Sequence, residues 1–307
     1  MNLRQLKYFV RVVEMHNMTR AAESLHVAQP ALSQQMALLE DTVGVRLLTR
    51  GVRGVQPTAE GLLLYRHAQT ILRQVDATRS LLACATDQVT GTVSIGLASS
   101  TARILSLPLM QRVKAELPSV VLEIVDLPSA DLTKLVLQGR VDFSLSPDQQ
   151  PIQGLQHTPL LLEDLFLLTH AGAQLPSRIL AIEDFHHLPL ILPSLPNTLR
   201  ARVDHAFLAA RLTCHLFAEA STSAILIPAV RAGIAATILP HSAAHAEIDA
   251  GSICAHALDM GLPRELVLCA SDSVPLTPAV ERVIELCKAE IKRLISAQVW
   301  RGCQALF

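Results

Sequence analysis

The side chains in this sequence best suited to chemistry form an uncharged, hydrogen-bonding run: Gln29, Ser33, Gln34 and Gln35, in the stretch AQPALSQQMALLE. Such groups break no covalent bond unaided, but a primary amide sets a donor beside an acceptor, the pattern that matches adenine N6 and N7 in a major groove. Further along, Arg50 and Arg53 flank Gly51 and precede Gly54 in TRGVRG, which puts cations on a tight turn. A basic turn tip fits the narrow, electronegative minor groove beside such a site. A three-helix packing unit with a polar surface and a solvated turn would show the same periodicity, so spacing alone leaves both readings open.

Other reactive side chains point to less. His241 and His245 stand four apart, a spacing that could hold a metal on one helix face, but no Glu follows in an HExxH arrangement and an exposed histidine pair is expected. His186 and His187 are adjacent and so diverge. The six cysteines (Cys84, Cys214, Cys254, Cys269, Cys287 and Cys303) contain no C-x-x-C and are expected to be free thiols. Cys214 and Cys254 invite a redox reading, yet nothing marks either as a thiolate, and inert buried cysteine is expected. Without a G-x-S-x-G, P-loop or paired-carboxylate motif, no enzyme activity, cofactor or metal is expected.

The elements that position these residues begin with a first helix, in which Leu3, Leu6, Phe9, Val10 and Val13 form an apolar stripe. Thr19 is the expected N-cap of a short second helix packed through Ala21, Ala22 and Leu25. A turn at His26 and Val27 leads to a third helix from Gln29, with Pro30 in its first turn and Leu32, Met36 and Leu39 buried. Its opposite face carries the reading side chains. Gly44 should end that helix, and Leu47 and Leu48 open a hairpin with the arginines at its tip.

Half of the 307 residues are apolar and 17% are charged, as in a folded protein of two or three units. The first ninety residues carry ten Lys/Arg against seven Asp/Glu and the rest sixteen against twenty, a weak electrostatic argument for a polyanion partner. No stretch suggests a membrane span or signal peptide, and a cytoplasmic protein is expected.

From Leu3 to Gly61 the runs LRQLKYFVRVVE, TRAAESLHVAQPALSQQMALLE and LLTRGVRGVQPTAEG resemble the LysR-type transcriptional regulators in residue type and spacing. The resemblance implies a winged helix-turn-helix DNA-binding domain over 1–58, with Thr19, Gln29, Pro30, Ser33, Gln34, Arg50 and Arg53 at the DNA. Arg53 is the better minor-groove candidate. Leu48 stands where the family often has Phe, and Gln34 where many members have Arg, which should alter the preferred base. GTVSIGLA, LPLMQRVKAELPSV, PLLLEDLFLL, RARVDHAF and ATILPHSAA further resemble the nitrogen assimilation control subgroup, which acts without a small co-effector. After GLA, where that subgroup has Pro-Gly, this chain has Ser99 and Ser100.

Thr58 should cap a long helix to about Thr86, with Tyr65, Ala68, Leu72, Val75 and Leu82 on one seam, so residues 59–90 are expected to be a linker and dimerisation helix. After Gly91 strands and helices alternate as in an α/β fold. The resemblance implies a periplasmic-binding-protein-like effector-binding region over 91–300. Its two Rossmann-like subdomains, about 91–163 with 267–300 and about 164–266, are crossed by strands near Leu162–Leu167 and Leu266–Ala270. Ser99, Ser100, Thr101 and Ser129, at strand ends where helices begin, are candidates for a small anionic effector, with Arg200 or Arg202 supplying charge.

The expected function is therefore a DNA-binding regulator that activates or represses transcription, of nitrogen-assimilation genes if the closer resemblance extends that far. Its expected partners are promoter DNA, copies of itself as dimer or tetramer, RNA polymerase and a small anionic effector, with no membrane. The alternatives are a regulator of another pathway switched by such an effector, and a cytoplasmic solute sensor acting through protein contacts.

Overall fold

The computed structural model describes residues 1–51, 54–83, 89–147, 151–259, 263–272 and 274–307. The chain divides into two compact units, Met1–Ala85 with Gln138–Arg140, and Thr86–Leu137 with Val141–Phe307.

The first unit opens with α1 (Leu3–Met15), α2 (Met18–Ser24) and α3 (Gln29–Val43), continues through the antiparallel hairpin β1 (Leu48–Gly51) and β2 (Gly54–Pro57), and ends in α4 (Ala59–Ala83). Asn2 and Gln5 form a capping box on α1. The cap of α2 is Asn17, whose carboxamide accepts from the Arg20 N–H at 3.0 Å; Thr19, the expected cap, lies exposed in the first turn instead. Asn17 follows a left-handed His16, so the chain has turned by that point and the cap falls two residues earlier. Phe9, Val12, Ala21, Leu32, Met36 and Leu39 form the shared core, and the alanines let the helices close on one another.

Gly44, with φ +76°, ends α3 as expected. Two glycines then answer close approaches. At Gly54 (φ +92°) a Cβ would lie 2.4 Å from the His16 carbonyl oxygen, and at Gly61 one would lie 2.1 Å from that of Leu47. The Thr58 hydroxyl accepts from the Gly61 N–H at 2.9 Å and donates to the Arg46 carbonyl at 2.8 Å, so it caps α4 and ties it to the hairpin. Of the seam, Ala68 is fully buried, and Tyr65, Leu72 and Val75 are half-buried; the Leu82 side chain lies outside the described residues.

The second unit runs β3 (Gly91–Leu97), α5 (Ser99–Glu116), β4 (Val120–Asp126), α6 (Ser129–Leu137), β5 (Phe143–Pro147), β6 (Leu155–Glu163), β7 (Leu165–His170) and α7 (Ile182–Phe185). It continues with β8 (Leu190–Pro193), α8 (Thr198–Ala209), β9 (Leu216–Ala220), α9 (Ser223–Arg231), β10 (Thr237–Pro240), α10 (His245–Asp249) and β11 (Ile253–Ala257), then β12 (Arg264–Ser271), α11 (Pro278–Ser296) and β13 (Cys303–Ala305). A six-stranded sheet, β13-β6-β12-β5-β3-β4, is parallel where β3 pairs with β4 and β5, and antiparallel where β12 and β13 join. The second half holds the antiparallel sheet β10-β7-β11 and the parallel pair β8-β9.

Each half has its own core, one centred on Phe143, Leu109 and Trp300, the other on Phe185, Val203 and Ile238. The crossing strand expected near Leu162–Leu167 is two strands: β6 ends at Glu163 and β7 starts at Leu165, with the Asp164 N–H bonded to the Gly302 carbonyl at 2.7 Å. The chain changes sheets there. Helix α5 starts at Ser99 and runs through Pro108, which removes one hydrogen bond from its interior.

Candidate nucleic-acid interface and cleft

The N-cap of α3 is Ala28, which has no side chain to satisfy the first-turn N–H groups. They remain open to an external acceptor such as a phosphate. Pro30 and Gln34 are exposed, while Gln29 and Ser33 sit half-buried at the margin of the Leu32 and Met36 stripe. The structure brings this second pair together: Gln29 Nε2 donates to Ser33 Oγ at 2.8 Å. Arg50 lies on β1, but its side chain, and all of Arg53, fall outside the described residues.

One residue that the sequence does not flag fixes the hairpin to α3. Glu40 Oε1 accepts from the N–H groups of Leu47 and Leu48 at 2.8 and 3.0 Å. Together with the Val55 N–H bonded to the His16 carbonyl at 2.9 Å, this sets the hairpin beside the third helix. No local motif announces such a bond across a turn.

In the second unit, a cavity of about 60 Å³ lies between the two halves. Ser99 and Ser100 begin α5, Ser129 begins α6, Thr198 begins α8 and Ser223 begins α9, so four helix N-termini meet there. Thr222, the N-cap of α9, makes no side-chain cap bond. The cavity is well below the roughly 300 to 1,000 Å³ of typical small-molecule sites.

The serines do not all face an anion freely. Ser99 Oγ donates to the Asp126 carboxylate at 2.5 Å, and Ser100 Oγ accepts from Arg264 at 2.7 Å. Thr101 is fully buried and does not line the cavity. The expected cations are also elsewhere. Arg202 donates to the Pro263 carbonyl at 3.1 Å, and Arg200 is held by Asp204 and Glu219, because the turn of α8 directs Leu199 rather than either arginine to the cavity.

The positive charge at the cavity is Arg264, 4% exposed, at the start of β12. It pairs with Glu163, 1% exposed, at 2.5 Å, and the same carboxylate accepts from Trp300 Nε1 at 2.7 Å and Ser242 Oγ at 2.8 Å. The two buried charges are thereby matched and hydrogen-bonded. Sequence spacing could not pair residues so distant in the chain.

His241, Cys269 and Cys287 are buried side chains. His241 is buried in a 3-10 turn, His241–Ala243, separate from α10, which corrects the expected exposed pair: Pro240 ends β10 and turns the ring inward. Burial, Arg301 and His245 hold its pKa below the ordinary value against the opposite pull of Asp249 and Glu163. Burial pushes the Cys269 and Cys303 thiols up to about 12, and raises those of Cys214 and Cys287. Cys214 and Cys254 are half-buried rather than buried, and no metal-holding group of three or more His, Cys, Asp or Glu occurs among the described residues.

Comparison with known proteins accounts for both units. Residues 3–62 match the bacterial regulatory helix-turn-helix proteins of the lysR family, and residues 86–292 match the LysR substrate binding domain. The chain is 40% identical to the nitrogen assimilation regulatory protein nac of Klebsiella aerogenes and 39% identical to that of Escherichia coli K12, with 80% of each chain covered in both cases. Its fold is shared with a full-length OxyR variant from Pseudomonas aeruginosa (TM-score 0.74, 24% identity, 99% and 98% of the two chains). It is shared too with CbnR complexed with its target DNA (TM-score 0.71, 22% identity, 94% and 99%). The helix-turn-helix, its hairpin and the two-half α/β unit thus belong to one scheme, and the chain belongs to the LysR family of transcriptional regulators.

Proposed function

We propose that this chain binds promoter DNA as a dimer or tetramer and controls nitrogen-assimilation genes, acting in the cytoplasm as a regulator rather than an enzyme. The observation that carries this reading is the identity of about 40%, over 80% of both chains, to two nitrogen assimilation regulatory proteins. No described helix is long and apolar enough to cross a membrane. In this reading residues 1–58 bind DNA, 59–90 join two copies and 91–300 regulate, with RNA polymerase engaged at the promoter. Thr19, Gln29, Pro30, Ser33 and Gln34 contact the major groove and its phosphates, with Arg50 and Arg53 on the wing. Support comes from the uncapped N-terminus of α3 and the exposure of Pro30 and Gln34. Genome-wide mapping of bound sites tests it: sites beside nitrogen-source genes are expected, and sites confined to another pathway overturn the pathway assignment. Gel shifts with equal affinity for every sequence, and a steep salt dependence, would overturn specific binding.

A second reading, a small anionic effector in the cavity, is favoured by one feature. Ser223 lines the cavity, is 4% exposed and makes no side-chain hydrogen bond among the described residues, while Arg264 and four helix N-termini surround it. The site would include Ser99, Ser100 and Ser129, with Thr101 behind them, and Arg202 outside. Its volume limits the ligand to a group the size of a carboxylate or inorganic oxyanion. Calorimetric titration with small carboxylates should give heat that Ser223→Ala diminishes; no heat with the unmodified protein rejects the effector.

A further inference from the structure

We infer that Ser33 is a positioning residue for Gln29: its hydroxyl holds the Gln29 carboxamide in the orientation that reads an adenine, and the two residues act as one specificity element. This rests on the reading of α3 as the base-contacting helix. Gln29 and Ser33 are one helical turn apart, half-buried at the same margin of the helix, and joined at 2.8 Å with the amide nitrogen as donor.

The chemistry of a primary amide makes the arrangement productive. Bidentate pairing with adenine uses the oxygen, which accepts from N6, and the N–H on the same edge, which donates to N7. The second N–H is left over, and Ser33 gives that proton an acceptor. Among the described residues Gln29 Oε1 accepts no hydrogen bond, so the acceptor stays available.

Ser33 is used differently from three other helical hydroxyls. Thr42, Thr78 and Thr133 donate to the carbonyl four residues earlier at 2.7, 2.8 and 3.1 Å, the usual use of a hydroxyl inside a helix. The Ser33 oxygen instead receives a side chain. Without it, Gln29 has three free torsions to freeze on binding. Freezing a flexible side chain costs about 0.5 to 1.5 kcal/mol, or roughly a 2- to 13-fold change in affinity.

The test is selection of preferred sequences from a random duplex library, followed by titration of single-base variants, using the full chain and Gln29→Ala, Ser33→Ala, Ser33→Thr and the double alanine variant. Gln29→Ala should remove a preference for adenine at one position of each half-site. Ser33→Ala should weaken the preference at that same position by about 2- to 13-fold and add nothing in the double variant. Ser33→Thr, which restores the hydroxyl, should restore the preference. Alanine favours a helix more than serine does, so the Ser33→Ala fold is secure and its melting curve checks this. Losses that add in the double variant, or a Ser33→Ala effect at a different base pair, overturn the positioning role while leaving base reading by Gln29 intact. A Gln29→Ala variant with unchanged preferences everywhere overturns the base reading itself, and the positioning role with it.

Discussion

At the scale of single residues, the second unit depends on one carboxylate. Glu163 receives Arg264, Trp300 and Ser242, and its removal would leave a guanidinium buried without a counter-charge. Breaking a buried pair in this way costs about 3 to 5 kcal/mol. Glu163→Gln should therefore lower the unfolding free energy of the second unit by about that amount, measured by urea denaturation. Trp300→Phe keeps the charge pair but removes an N–H donor to a carboxylate and shrinks a fully buried ring, and should cost about 1.5 to 3 kcal/mol, less than Glu163→Gln in the same measurement. Equal effects would mean that packing of the indole, not the carboxylate, dominates the site.

At the scale of elements, the position of the hairpin relative to α3 depends on contacts away from any base. Glu40→Ala orphans the N–H groups of Leu47 and Leu48, both buried residues. The expected result is a loss of about 1 to 3 kcal/mol in stability of the first unit and weaker binding to all sequences, with base preference retained. A change of preferred base in a binding-site selection would contradict that division of labour. Asn17→Ala, which strips the cap of α2, should cost about 1 kcal/mol in a thermal melt. It would show no such loss if Thr19 were the operative cap. The helices, the glycine stop at Gly44 and the polar face of α3 were legible in the sequence because they follow from local periodicity and backbone sterics. The Asn17 cap and the Glu40 bonds were not, since each depends on where the chain turns in space.

At the scale of the whole molecule, stability should depend on pH through His241. Its folded pKa lies below the ordinary 6.5, chiefly because burial penalises the cation, so the unfolded chain takes up the proton first. The contribution is full above pH 6.5 and is lost as pH falls toward the folded pKa. Urea midpoints should thus decline below pH 6.5, and His241→Leu should flatten that decline. An unchanged slope would assign the acid sensitivity to other groups.

By itself, the sequence determined the order of the elements, the helix-turn-helix and its reading face, the alternation of strands and helices, and the family. All of these rest on residue types at fixed short spacings. The tertiary structure alone decided which cation reaches the cleft and how little room the cleft leaves. Arg264 rather than Arg202 lies there, neutralised by Glu163 and bonded to Ser100 from the other end of the unit. Charge pairing and cavity volume depend on distances between residues far apart in the chain, and these exist only once the sheets have formed and the strands have crossed at Asp164.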